Sequence, residues 1–163
     1  IPTPEAIAYI EQRHLGLLAE SFLITRQCPY THLLYEMGNA SKEQYMPMAK
    51  ALAHFAYDMH SKGVLHLDFS PGNILWEYDH DGNIIFSIVD INRMHFGTIT
   101  QKQACCSFSR LWGPKEFIVS IVSEYAQLAG YDISSSMNIC LKERRRFWTR
   151  YQRKREIEFN LEL

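Results

Sequence analysis

One stretch of ten residues, His66 to Leu75, constrains the fold more than any other part of the sequence. It contains a Ser-Pro-Gly turn and then enters an apolar run, so a polar loop must lead directly into a strand. Asp68 and Asn73 lie on this loop, and Asp90 follows the next apolar run along the chain. If the two strand ends meet, these side chains form the oxygen-rich ligand set that Mg²⁺ prefers. The pattern predicts metal-dependent phosphoryl transfer.

The chain before this loop is predicted to begin with strands. Extended segments are indicated from Ala6 to Arg13 and from Leu17 to Thr25, with a short glycine-containing turn between them. After a second turn at Pro29, a third strand is predicted from Thr31 to Glu36. We therefore expect three antiparallel strands, with no helix among them.

Helical signals follow the strands. Ser41, with Gln44 three positions later, forms a capping box and predicts the start of a helix. Pro47 favours the first turn of a second helix that runs to about His60, because proline lacks the N–H group that a helix interior needs. Gly63 supplies the left-handed residue that ends it.

The remaining chain predicts one hairpin and a helical body. A small sheet followed by such a body gives an α+β fold. The one boundary that we expect separates residues 1–38, a strand-rich unit, from residues 39–163, a helix-rich unit. The strands of the hairpin are expected at Ile74 to Glu77 and Ile84 to Val89, and the helices at Gln101 to Trp112, Pro114 to Leu128 and Ser134 to about Glu158.

Composition places the chain among globular proteins of a reducing compartment. Hydrophobic residues make up 47% of it, which is enough to bury a core. The four cysteines form neither a CxxC pair nor a Cys/His metal pattern, so we expect reduced thiols and a cytoplasmic location. The sequence carries no signal-peptide pattern and no apolar run long enough to cross a bilayer. Because it has no initiator methionine, we expect it to be a piece of a longer protein.

The order of these motifs resembles the protein-kinase-like superfamily. The pattern H-x-D-x-x-P-x-N from His66 to Asn73 resembles the catalytic loop, and Asp90 to Asn92 falls where the superfamily has its Asp-Phe-Gly metal motif. Met59 to Val64 looks like the end of the helix that leads into that loop, and Leu33 to Met37 looks like the strand that enters the hinge. The resemblance spans roughly residues 17 to 95.

Within this superfamily, the segments Asp68 to Leu75 and Asp90 to Met94 look most like those of the lipopolysaccharide-core kinases. These enzymes phosphorylate Kdo or heptose sugars. The resemblance implies an ATP- and Mg²⁺-dependent phosphotransferase whose acceptor is a hydroxyl group of the lipopolysaccharide core.

The resemblance also implies a role for each matching residue. Asp68 would orient the sugar hydroxyl and accept its proton during attack on the γ-phosphorus. Asn73 and Asp90 would hold the metal. His66 would brace the loop backbone near Asp90 rather than act as an acid or base. The adenine of ATP would pair with backbone groups of the hinge at Glu36, Met37 and Gly38.

Some features depart from the superfamily pattern. Ser70 stands where protein kinases carry a lysine, so the transition state would need another cation. Asn92 replaces the glycine of the metal motif. The glycine-rich loop, the strand lysine and its glutamate partner are absent, and the resemblance implies that they lie before Ile1. We therefore expect an N-terminally truncated kinase, inactive by itself. Arg93 and Arg110 could steady a phosphate or the acidic loop, or make structural pairs.

Positive charge is concentrated at the C-terminus, where eight basic residues oppose four acidic ones from Lys142 onward. The run from Arg144 to Arg146 precedes Phe147, Trp148 and Tyr151. Such a helix could bind the anionic inner membrane as a peripheral contact. A solvated helix that covers the body with its aromatic edge is the simpler alternative. The sequence contains no fold motif that would support nucleic-acid binding.

Two classes of function remain open from the sequence. The first is the sugar kinase, with a kinase for another small molecule or a protein as its variant. The second is a degenerate kinase-like module that binds a partner or lipid without turnover. Joint presence of Asp68, Asn73 and Asp90 favours the kinase, because a binding module needs no such set. Asp and Asn are also common turn residues, so Asp68 and Asn73 could be present only for the local structure of the loop. Asp79 hints at a calcium loop, but its spacing fits a hairpin turn better.

Overall fold

In the computed structural model, which describes residues 1–159 and 161–162, a two-stranded hairpin precedes a helical body that carries two further small sheets. This confirms the predicted α+β class. The strands are β1 (Ala6–His14), β2 (Leu17–Thr25), β3 (His32–Leu33), β4 (Val64–His66), β5 (Ile74–Tyr78), β6 (Ile84–Ile88) and β7 (Met94–Phe96), and the α-helices are α1 (Lys42–Ser61), α2 (Gln101–Ser107), α3 (Lys115–Ala129) and α4 (Ile133–Tyr151).

The first two strands form the predicted antiparallel hairpin. Leu15 and Gly16 connect them, with φ values of 50° and 82°, and this conformation suits the twist of a two-residue turn. Large apolar side chains on both strands are exposed, among them Ile7 at 62% and Leu17 at 75%. The two strands therefore pair mainly with each other.

The third predicted strand, Thr31 to Glu36, is wrong in length and in partner. Only His32–Leu33 is extended, and it pairs with β5 rather than with the hairpin. The chain then forms a 3₁₀ turn, Leu34–Gly38. Leu34 and Met37 are buried three residues apart, and that spacing brings both side chains to one face of a 3₁₀ turn. In a strand the two would point to opposite faces.

One continuous helix, α1, replaces the two that Pro47 suggested. The capping box is present, since Gln44 Oε1 accepts a hydrogen bond from the Ser41 N–H at 2.9 Å. Pro47 and Glu43 both lie on the exposed face, so water can satisfy the carbonyl that proline leaves without a donor. The buried face continues past Pro47 without interruption. The helix ends at the predicted left-handed Gly63, whose φ is 72°.

Two short antiparallel pairs frame the loop of residues 67–73, which we call the Asp68 loop. Strands β4 and β7, which the sequence did not indicate, pair with Leu65 opposite His95. Strands β5 and β6 form the predicted hairpin, with Ile74 opposite Ile88. The loop therefore leaves one sheet and enters another, so both of its ends are fixed.

The helices α1 and α3 form the centre of the core, and their buried side chains include Leu52, Ala56, Ile118 and Ile121, each 0% exposed.

The predicted helix from Gln101 ends at Ser107 and is followed by a 3₁₀ turn, Phe108–Arg110. The last helix ends at Tyr151, short of the predicted Glu158. Among the described residues, no helix is both long and apolar enough to cross a membrane.

Candidate active site

His66 fixes the start of the Asp68 loop. Its ring is 1% exposed and lies between two backbone groups. Nε2 lies 3.0 Å from the Val89 carbonyl oxygen, and Nδ1 lies 3.1 Å from the Asp68 nitrogen. A carbonyl can only accept and an amide can only donate, so Nε2 carries the hydrogen and Nδ1 accepts. The imidazole thereby joins the loop to the chain just before Asp90.

The loop itself is closed by short hydrogen bonds. The Ser70 N–H donates to the Asp68 carbonyl at 2.8 Å, and the Asn73 N–H donates to the Ser70 carbonyl at 3.0 Å. The Asn73 side chain also donates through Nδ2 to the Asp68 carbonyl at 2.9 Å. Phe69, 1% exposed, packs into the core below. These bonds hold the backbone of Asp68 and Asn73 in one arrangement.

The Asp68 carboxylate has a cationic partner from a distant part of the chain. Arg110 Nη1 lies 2.8 Å from Asp68 Oδ1. The two side chains are 39% and 28% exposed, respectively, so the pair is open to solvent on one side. Arg110 also lies against the Phe147 ring, 5.1 Å from its centroid. The structure thus assigns Arg110, rather than Arg93, to the acidic loop.

The β5–β6 register brings Asn73 and Asp90 to the same end of the hairpin. The Val89 N–H donates to the Asn73 carbonyl at 3.0 Å, which places Asp90 one residue beyond this bond. Asp90 is exposed and has a φ of 57°, a left-handed conformation that aspartate tolerates better than most residues. Because Asn73 Nδ2 is bonded to the loop, its Oδ1 is left as an acceptor. An amide oxygen and a carboxylate therefore end the same hairpin, and their chemistry fits Mg²⁺.

A cavity of about 260 Å³, which we call the β2 cavity, lies beside Asp90. Leu23 and Thr25 of β2 form one side, and Asp90 and Asn92 form another. A larger cavity of about 610 Å³ lies near the ends of α1 and α3. Its lining includes no residue of the Asp68 loop, so the size of a cavity does not by itself identify the active site. The β2 cavity is lined by Asp90, one of the two predicted metal ligands.

The predicted adenine contacts at Glu36, Met37 and Gly38 lie elsewhere. These residues form the 3₁₀ turn after β3, and they do not line the β2 cavity. The Glu36 carboxylate lies 3.1 Å from His32 Nδ1, while Met37 and Gly38 are buried. The strand end that borders the cavity is that of β2 at Thr25, and the adenine contacts at Glu36, Met37 and Gly38 stay a prediction.

Arg144 was expected on a basic surface, but it is 0% exposed. It donates to the carbonyls of Leu111 at 2.6 Å and Gly113 at 3.1 Å, and more distantly to that of Ser109 at 3.4 Å. Burial lowers its pKa to about 10. The spacing of Arg144 four residues before the buried Trp148 was the available signal, since such residues share a helix face.

Part of the C-terminal helix that was predicted to face a membrane faces the body instead, and the membrane contact itself stays a prediction. Arg144 and Trp148 point into the body, and Phe147 contacts Arg110. The exposed basic residues of this region are Lys142, Arg145, Arg146, Arg150, Arg153, Lys154 and Arg155. Within the described chain, no group of three His, Cys, Asp or Glu side chains could hold a metal ion.

Comparison with known proteins bears on the fold and on the family. No curated protein matches the sequence significantly. Among solved structures, the chain resembles WaaP in complex with acyl carrier protein, with a TM-score of 0.61 and 17% identity over 94% of this chain and 68% of that chain. At this identity the likeness shows the fold alone. A family model matches residues 1–112. Since that match covers more than half of the sequence, the chain belongs to the lipopolysaccharide kinase (Kdo/WaaP) family.

Proposed function

We propose that this protein transfers the γ-phosphoryl group of ATP to a hydroxyl group of a Kdo or heptose sugar in the lipopolysaccharide core. The observation that carries the proposal is the β5–β6 register. It places Asn73 and Asp90 at one hairpin end, next to the loop that holds Asp68. Family membership supports a kinase that acts on lipopolysaccharide, and the residues assigned here give that activity a mechanism.

Asp68 is the base in this mechanism. Its Oδ1 is bonded to Arg110, so Oδ2 is the oxygen that would receive the proton of the acceptor hydroxyl. The acceptor oxygen forms a bond to the γ-phosphorus as that proton moves, and the bond from the phosphorus to ADP breaks. Positioning of this kind contributes about 10²- to 10⁴-fold to a proton transfer.

Asn73 Oδ1 and the Asp90 carboxylate would hold Mg²⁺. When bound, the ion would neutralise the phosphate oxygens that repel an incoming hydroxyl. The Asn73 amide has a fixed orientation for this role, because its nitrogen is bonded to the Asp68 carbonyl. Asp90 lies two residues beyond the end of β6, in a left-handed conformation with a φ of 57°.

We assign the nucleotide base to the β2 cavity rather than to Glu36, Met37 and Gly38. Backbone groups near Thr25 end a strand beside the cavity, and Leu23 offers an apolar surface. This arrangement provides both the hydrogen bonds and the apolar contact that a purine requires. A peripheral contact with an anionic membrane would rely on exposed charge alone, from Arg145, Arg146 and Arg150.

The test is phosphate transfer from γ-labelled ATP to lipopolysaccharide that lacks core phosphate, with the natural full-length protein. We expect transfer that depends on added Mg²⁺, and Asp68→Asn should reduce it by at least about 10²-fold. Asp81→Asn, at an exposed turn position, is the matched control and should be neutral. Unchanged transfer by Asp68→Asn would refute the role of Asp68. Binding of ATP with no transfer by the wild type would instead favour the non-catalytic module.

A further inference from the structure

We propose that Arg110 supplies the positive charge that the Asp68 loop lacks, and that the cavity beside it receives the acceptor sugar. Arg110 would hold Asp68 through one N–H group and offer its other N–H groups to the acceptor. This inference rests on the proposed kinase activity, and it identifies a positioning residue for the base together with a site for the acceptor.

The need for such a cation follows from the loop sequence. Between Asp68 and Asn73 the residues are Phe69, Ser70, Pro71 and Gly72, which are all uncharged. Negative charge develops on the transferring phosphoryl group and its oxygens, and kinases stabilise it with fixed positive groups. A loop with no cation must obtain this charge from another element of the fold.

Arg110 is the described side chain that pairs with the Asp68 carboxylate, at 2.8 Å. Its backbone belongs to the 3₁₀ turn Phe108–Arg110, and the neighbouring groups of this turn are firmly held. Phe108 is 0% exposed, and the Ser109 carbonyl accepts a hydrogen bond from Trp148 Nε1 at 3.0 Å. The Phe147 ring supports the guanidinium itself. A held turn can present a cation in one position, which a solvated arginine cannot do.

Arg110 also lines a cavity of about 210 Å³, which we call the Arg110 cavity. The Asp68 loop contributes Leu67 and Phe69, which flank the base in sequence. Polar groups come from Gln103, Ser107 and Glu143. A small site with apolar surface and several hydrogen-bonding groups suits one sugar ring. Glu143 can accept from sugar hydroxyls, whereas Arg110 can donate to a hydroxyl or to an acidic group of the sugar.

In the reaction, Arg110 stays protonated throughout. The acceptor hydroxyl loses its proton to Asp68 Oδ2, its oxygen bonds to the γ-phosphorus, and the electron pair of the broken P–O bond leaves with ADP. Asp68 then releases the proton to water. Arg110 keeps Oδ1 occupied, so that Oδ2 faces the acceptor during the transfer.

The experiment compares steady-state kinetics of Arg110→Ala and Arg110→Lys with the wild type. We expect Arg110→Ala to lower kcat by about 10²-fold, as misplacement of a reacting group does, and to raise KM for the acceptor while KM for ATP stays unchanged. Arg110→Lys should recover part of kcat, because it restores the charge without the planar fork. Guanidinium ion, at concentrations far below those that unfold proteins, should restore transfer to Arg110→Ala.

Arg153→Ala is the matched control, because it removes one exposed arginine just beyond the adjacent helix. Thermal unfolding checks that each variant folds. If the wild type transfers phosphate and the folded Arg110 variants keep its kcat and its acceptor KM, the role of Arg110 is refuted while the kinase assignment stands. The role of Arg110 is also refuted if guanidinium ion does not restore transfer to Arg110→Ala and Arg110→Lys recovers no activity. A purely structural role of Arg110 predicts that result. If the wild type transfers nothing, both proposals fail.

Discussion

The buried Arg144 gives the sharpest prediction about how the site is held together. Its guanidinium donates to the carbonyls of Leu111 and Gly113, which follow Arg110 in the chain. Its hydrogen-bond partners in the described chain are backbone carbonyls rather than carboxylates, so carbonyl dipoles and the Trp148 ring, 5.8 Å away at its centroid, balance the charge. Replacement of Arg144 by Met removes the charge and the donors while keeping an unbranched side chain in the core.

Two opposing terms set the size of the effect. Loss of two hydrogen bonds from a charged donor costs about 3 to 6 kcal/mol, at about 1.5 to 3 kcal/mol each. Burial lowers the pKa of Arg144 from 12.5 to about 10, so holding the charge in the folded chain costs about 3 kcal/mol. Met removes that cost. We therefore expect Arg144→Met to lower the free energy of unfolding by about 2 kcal/mol, a modest net loss.

The catalytic effect should exceed what this loss of stability explains. At a temperature where the variant remains folded, the Arg144 side chain no longer holds the carbonyls of Leu111 and Gly113. The segment that follows Arg110 is then less well fixed, so the contact between Arg110 and Asp68 loosens. We expect kcat to fall by about tenfold with KM for ATP unchanged.

Urea unfolding gives the free energy of unfolding, and the phosphate-transfer assay gives kcat. Arg153→Met, at an exposed arginine beyond α4, is the control and should change neither quantity. Wild-type stability and wild-type kcat in Arg144→Met would refute the reasoning, because they would show that the carbonyl contacts do not hold the turn.

Further predictions concern the loop, the core and the metal site. Gly72→Ala should lower transfer by a few fold, because the added Cβ would lie 2.7 Å from the Tyr35 hydroxyl, and Tyr35→Phe should partly relieve the defect in the double variant. Burial lowers the pKa of His60 to about 4, below its ordinary value of 6.5, so the unfolded chain binds more protons in this range and stability falls as the pH drops from 6.5 to 4. Urea unfolding at pH 7.5 and pH 4.5 should show a loss of about 2 to 3 kcal/mol, and His60→Phe should show less pH dependence. Asp90→Gly should unfold at a higher temperature than Asp90→Ala, because the left-handed φ of 57° strains alanine by about 1 kcal/mol, and both should lose transfer; equal unfolding temperatures would contradict the strain argument.

Local features could be read from the sequence because local chemistry decides them. The capping box at Ser41 and the left-handed Gly63 both concern hydrogen bonds within a few residues of chain. The hairpin of β1 and β2 follows from residue alternation around a short turn. The order of the Asp68 loop and Asp90 also indicated the family, because the spacing of such motifs reflects a shared fold.

The errors arose where packing overrode a local preference. Pro47 marked a helix boundary by its missing N–H group, but its exposed position lets water complete the hydrogen bonding, so α1 continues. The segment from Thr31 to Glu36 read as a strand, yet Leu34 and Met37 gain more by packing on one face of a 3₁₀ turn.

The sequence by itself determined the fold class, the family and the residue types of the candidate site. Only the tertiary structure decided that Arg110 pairs with Asp68, across 42 positions of chain, and that Arg144 lies inside the body. The pattern of a sequence reports which face of a helix is apolar, but it does not report which distant polar group that face meets. Buried charges depend on partners brought together by folding, because a contact such as that of Arg144 with the Leu111 carbonyl at 2.6 Å can satisfy a group that would otherwise stay in water.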